Sequence, residues 1–196
     1  KMAKLWYFAV QATQNHTLGI VAASLFQPAY LKGIGLAWMA SENLEQGLRR
    51  FVQSSQLINT VMEIELVEQG DELLIQYQGK LSKQNKIQAH HCAIELGVGF
   101  FLKMFRLAAG KTIPATGVYF TFDVDDNNKV YQDFFQCHVY GNQKLNGISF
   151  SKSLLTETLP THDSELVELN EMLINKHLHN LKKGDVSTKV IKIINE

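Results

Sequence analysis

The spacing of apolar and polar positions along this 196-residue chain changes twice, and each change marks a different kind of structure. Over the first third, apolar residues recur at the interval that puts them on one side of a helix. Leu5, Phe8, Ala9 and Ala12 predict a first helix, and a second is expected from about Leu18 to Phe26, ahead of Pro28. A third is expected over 30–40. Ser41 reads as the N-cap of a fourth, with Leu44, Leu48, Phe51 and Val52 as its apolar face. The adjacent Arg49 and Arg50 read as a solvated helix face rather than a phosphate site.

The period then becomes two. Met62, Ile64 and Leu66 alternate with Glu63 and Glu65, and Leu73, Ile75 and Tyr77 alternate with Leu74, Gln76 and Gln78. With Gln69-Gly70-Asp71 as the turn, this predicts a β-hairpin over 61–68 and 72–79 with one buried face. Helical spacing returns over 87–109, in a segment apolar almost all round. Its polar positions form a stripe of Gln88, His91, Glu95, Lys103 and Arg106, and Gly97 and Gly99 allow a neighbour to approach closely. So narrow a polar stripe predicts a central helix, with a sheet on one side and helices on the other. Strands are expected over 117–123 (Val118, Phe120 and Phe122 on one face) and 147–151, with a polar loop and a short helix between them. A closing helix is expected from the N-cap Asp163 to Gly184, with Leu166, Leu169 and Leu173 in phase, and a further helix from Asp185. The predicted fold is α+β: N-terminal helices and an antiparallel-rich sheet packed on the long helix 87–109. The first residues read as the middle of an amphipathic helix, so the chain is expected to lack its first helices.

Composition narrows the function. Nineteen basic and nineteen acidic residues cancel, so no global field draws the chain to nucleic acid or to an anionic membrane. No apolar run has the length of a membrane span. Cys92 and Cys137 make no disulfide framework and read as free thiols of a reducing cytoplasm. Neighbouring residues of a helix diverge by about 100°, so His90-His91-Cys92 is a poor metal motif. His91 and Glu95 have the right spacing but read as a solvated helix pair. The segment from Asp123 lacks the glycine and the glutamate of a calcium loop. No nucleophile, base and orienting residue can be assembled, so an enzyme is not expected, and no cofactor is implied.

One stretch has a rhythm without evident chemistry: Phe135-x-Cys137-x-Val139, then Asn146-x-Ile148-x-Phe150, then Leu155 and Leu159-Pro160. It resembles the end of the N-terminal effector domain in one branch of the AraC-family transcription regulators, the branch labelled arabinose-binding-like. Leu18-Gly19-Ile20, the segment around Leu31 and Gly35, and the Ser41, Leu44, Leu48 and Phe51 helix resemble earlier parts of that domain in the same order. The likeness departs at Tyr140-Gly141, where one more residue is expected before an aromatic. The resemblance implies a cytoplasmic, dimerising effector domain over 1–184. Residues 185–196 would then begin a truncated helix-turn-helix domain, and DNA would be bound only through that missing part.

A pocket for an unidentified small-molecule effector is expected between the inner sheet face and the long helix. Its candidate walls are Trp38, Tyr77, Phe101, Phe105, Tyr119 and Phe120, with His91 or Glu95 as polar anchors. The rival reading is an oligomerisation module without a small-molecule ligand.

Overall fold

The computed structural model describes residues 2–55, 62–79, 89–125 and 129–175. Helices α1 (Met2–Thr13), α2 (Leu18–Ser24), α3 (Gly33–Met39) and α4 (Leu44–Ser54) come before the hairpin of β1 (Met62–Gln69) and β2 (Glu72–Gly79). The long helix α5 (His91–Ala109) follows, then β3 (Gly117–Tyr119), α6 (Lys129–Phe135), β4 (Val139–Tyr140), β5 (Asn146–Ser151) and α7 (Lys152–Leu155). The last described helix, α8, covers 164–175. The strands form one sheet in the order β1-β2-β5-β3-β4, antiparallel except where β3 meets β4. The architecture is α+β, with the sheet on one side of α5 and helices on the other.

The register shows why the alternating residues are apolar. Ile75 pairs with Ile148, which pairs with Val118, and Leu73 pairs with Phe150. All five are buried in one core with α5, where the rings of Phe105 and Phe150 lie 4.7 Å apart. On the opposite side of α5, Trp38 of α3 and Phe51 of α4 pack with Phe100, Phe101 and Phe105. Helix α2 lies almost backbone to backbone on α5. A Cβ on Gly19 would stand 2.1 Å from the Cys92 carbonyl oxygen, and one on Gly99 would stand 2.9 Å from Ala23 Cβ.

Several boundaries differ from the sequence reading, each for a local reason. The cap of α4 is Asn43, whose Oδ1 accepts from the Gln46 amide at 2.9 Å, while Ser41 donates its hydroxyl back to the Ala37 carbonyl. The helix expected over 30–40 is divided into a 3₁₀ turn, Pro28–Leu31, and α3, because Lys32 adopts a positive φ of 52°. Helix α5 begins at His91, with His90 extended as its N-cap; Ile87 and Gln88 lie outside the described residues. Strand β3 stops at Tyr119, beside the start of β5, where the Asn146 side chain takes the Thr121 amide in place of a ladder carbonyl. In α1 the in-phase residues Leu5, Phe8 and Ala12 are exposed and Val10 is the buried one. In α8, capped by Asp163 as expected, Leu166, Leu169 and Leu173 are exposed while Val167, Asn170 and Ile174 face inward. The continuation to Gly184 and the helix from Asp185 lie outside the described residues.

Candidate functional site

A cavity of about 150 Å³ lies between α5, the sheet edge and the N-terminal helices. Its floor is one face of α5: Ala93, Leu96, Gly97, Phe100 and Phe101. The helical wall is Phe26, Leu31, Phe51 and Ser55, and the hairpin supplies Ile64 and Tyr77. Residue 97 is a glycine, which lets the Tyr77 wall close onto α5. The Tyr77 ring lies over it, and a Cβ there would stand 2.5 Å from Tyr77 Cζ. Phe100 meets Phe26 edge to face at 4.8 Å and Phe51 at 5.1 Å, so three rings from three segments bound the same space. Among the described residues the wall has no charged side chain, and the Ser55 hydroxyl is taken up by the Val52 carbonyl at 2.7 Å.

Of the expected pocket residues, Tyr77 and Phe101 line this cavity. Trp38 and Phe105 are fully buried behind it in the aromatic core, with Trp38 Nε1 left without a partner. Phe120 is buried just past the end of β3 against Phe122, Tyr131 and Phe135, and Tyr119 stacks on Tyr140 at 5.3 Å. Sequence reasoning missed the other nine lining residues, among them Phe26, Phe51, Ile64, Leu96 and Phe100, which come from segments with no common pattern.

The two expected polar anchors lie elsewhere. Glu95 is not half of a solvated pair: it is fully buried, 0% exposed, where α2, α5 and α6 meet. Tyr131 donates its hydroxyl to Glu95 Oε1, and the Gly19 amide donates to Oε2 at 3.2 Å. Burial raises this carboxyl to about 7, against the pull of those donors. The same burial, with Glu95 nearby, raises the Cys92 thiol to about 11, and Tyr131 is raised as well. His91 is half-buried and donates Nε2–H to the His16 carbonyl at 3.0 Å.

His90, His91 and Cys92 are closer together than helical divergence allows, because His90 is extended and outside the helix. Their ligand atoms lie within 4.8 Å of one another. Each already has a protein partner. His90 Nδ1 accepts from the Cys92 amide, and the His16 carbonyl takes both His91 and the Cys92 thiol.

Comparison with known proteins places this geometry in a family. Residues 1–159 match the family model described as the arabinose-binding domain of AraC transcription regulator, N-term. Among solved structures, the transcriptional regulator CdpR from Pseudomonas aeruginosa has a similar fold, with a TM-score of 0.69 at 13% identity. The likeness covers 85% of this chain and 53% of that one, so the chain spans about half the length of that regulator. No curated protein matches the sequence. These matches define the class as a regulatory domain of a transcription regulator. More particularly, the chain belongs to the family of N-terminal arabinose-binding domains of AraC transcription regulators.

Proposed function

We propose that this domain senses a small molecule, pairs with a second copy of itself, and passes the bound state to a C-terminal helix-turn-helix domain of a bacterial regulator. The observation that carries this reading is the position of α4 between the cavity and α8. The C-terminal end of α4 supplies Phe51 and Ser55 to the cavity wall. One residue before Phe51, Arg50 holds Glu171 of α8 at 2.6 Å and reaches Ser41 and Gln46 on its own side. The chain leading to α8 is tied to the same region, through Leu159 N to the Glu42 carbonyl and Asp163 N to the Ala40 carbonyl. An effector that favours one setting of α4 therefore also favours one setting of α8, by shifting the population of the two. Two paired domains would present two DNA-reading units to two half-sites.

Thermal melting of the chain against sugars, amino acids, fatty acids and aromatic compounds tests this reading. A ligand bound only by the folded state stabilises it by mass action, by about 2.7 kcal/mol at a hundred times its Kd, and so raises the melting temperature. A melting temperature indifferent to every class but rising with protein concentration would leave an oligomerisation module without a ligand.

A further inference from the structure

Resting on the sensor reading above, we infer that the ligand is an uncharged, apolar molecule the size of a single aromatic ring, and that it is not a sugar. Size is the first argument. The pocket is open on one side, and its volume of about 150 Å³ is close to that of an engineered protein cavity, lined by Leu, Ile and Phe, that admits benzene. Pockets for drug-sized ligands begin at about twice that volume.

Polarity is the second argument. A bound sugar must exchange the water on each hydroxyl for a protein hydrogen bond, or be destabilised at every one left unmatched. Among the described residues, the wall side chains that bear hydroxyls are Ser55, whose own is turned into its helix, and Tyr77. The α5 backbone facing the cavity is engaged within the helix. A carboxylate or ammonium group would enter a wall without a charged partner among the described residues. Geometry is the third. The rings of Phe26, Phe51 and Phe100 present edges and faces at centroid distances of 4.8 and 5.1 Å, the arrangement into which another flat ring packs favourably.

The test is calorimetric titration of this chain with toluene, benzoate and arabinose. Two cavity-filling variants, Ala93→Leu and Leu96→Phe, are titrated alongside. Toluene is expected to bind, benzoate of the same shape at least about 100-fold more weakly, and arabinose not at all. Either variant should weaken toluene by about tenfold or more without lowering the melting temperature, because both enlarge side chains into empty space. Toluene binding unchanged in both folded variants overturns the assignment of the site. Binding of arabinose, an amino acid or benzoate in place of toluene overturns the ligand class but leaves a sensor. Silence from every compound in the thermal and calorimetric series removes both.

Discussion

At the scale of single residues, Glu95 is the most informative side chain in the domain. Its carboxyl is raised to about 7 by burial, while Tyr131 and the Gly19 amide pull the other way. A carboxyl that holds its proton more tightly folded than unfolded stabilises the fold fully below its unfolded value of 4.5. That contribution is lost as the pH rises through 7. The difference corresponds to about 3 kcal/mol across this window, an order of magnitude set by the two end values. Urea unfolding of the wild type and Glu95→Gln from pH 4.5 to 8 should therefore show the stability difference between them changing by about that amount, with the wild type losing ground as the pH rises. A difference independent of pH would mean that Glu95 does not titrate in the folded state. The sequence placed Glu95 correctly on the polar stripe of a helix and wrongly in water. What buries it is Tyr131, 36 positions away, and Gly19, 76 positions away, and no local pattern reports contacts of that range. Tyr77 and Phe101 were legible as aromatic wall residues because they lie on a sheet face and a helix already predicted to meet.

At the scale of elements, the packing of α2 on α5 tolerates no side chain at residue 19. The neighbour of an added Cβ is the Cys92 carbonyl oxygen at 2.1 Å, backbone that cannot rotate aside. Gly19→Ala is expected to destabilise the domain by roughly 3 kcal/mol, at the upper end for overpacking, measured by chemical denaturation. Asn43→Ala removes the side-chain acceptor that starts α4 and should cost about 1 kcal/mol in the same measurement. Ser41→Ala removes a different thing, a buried hydroxyl bonded to Ala37 and Arg50 at the end of α3. The hairpin was readable because the period-two runs Met62 to Leu66 and Ile75 to Gln78 flank the Gly70 turn, although Val67 and Leu74 break the alternation and Leu74 is buried beside Leu73 and Ile75. Strand β4, of two residues, is too short to show a period, whereas the alternation of Val118, Phe120 and Phe122 was legible but the strand ends at Tyr119, beside the start of its partner β5. Helix α8 was readable as a helix but not in its facing. Its sequence contains two stripes at helical spacing, and periodicity alone does not say which one the core takes.

At the scale of the whole molecule, those two stripes bear on the proposed pairing of two copies. Val167 and Ile174 bury one side of it in the domain, and the Arg50–Glu171 pair fixes its position on α4. Leu166, Leu169, Met172 and Leu173 face outward, from 48% to 70% exposed, on a helix whose other side carries its buried residues among those described. A continuous apolar stripe of this kind is stabilised by a partner that covers it, and a second copy related by a twofold axis supplies the same stripe in return. Leu169→Glu with Leu173→Glu should therefore convert a dimer to a monomer in sedimentation equilibrium over a concentration series. The folded protomer should keep its stability, since exposed positions without interior contacts tolerate such changes within about 0.5 kcal/mol. A wild-type chain that remains monomeric across the series would separate sensing from pairing. A double variant that unfolds would place the stripe inside the protomer. A monomeric, folded variant that still binds ligand would show that cavity and interface are distinct, and would leave their coupling through α4 and the Arg50 contact to be measured. In that case Arg50→Gln should leave ligand affinity near wild type but remove any effect of the ligand on dimerisation, because the coupling free energy between two sites vanishes with the element that both bias.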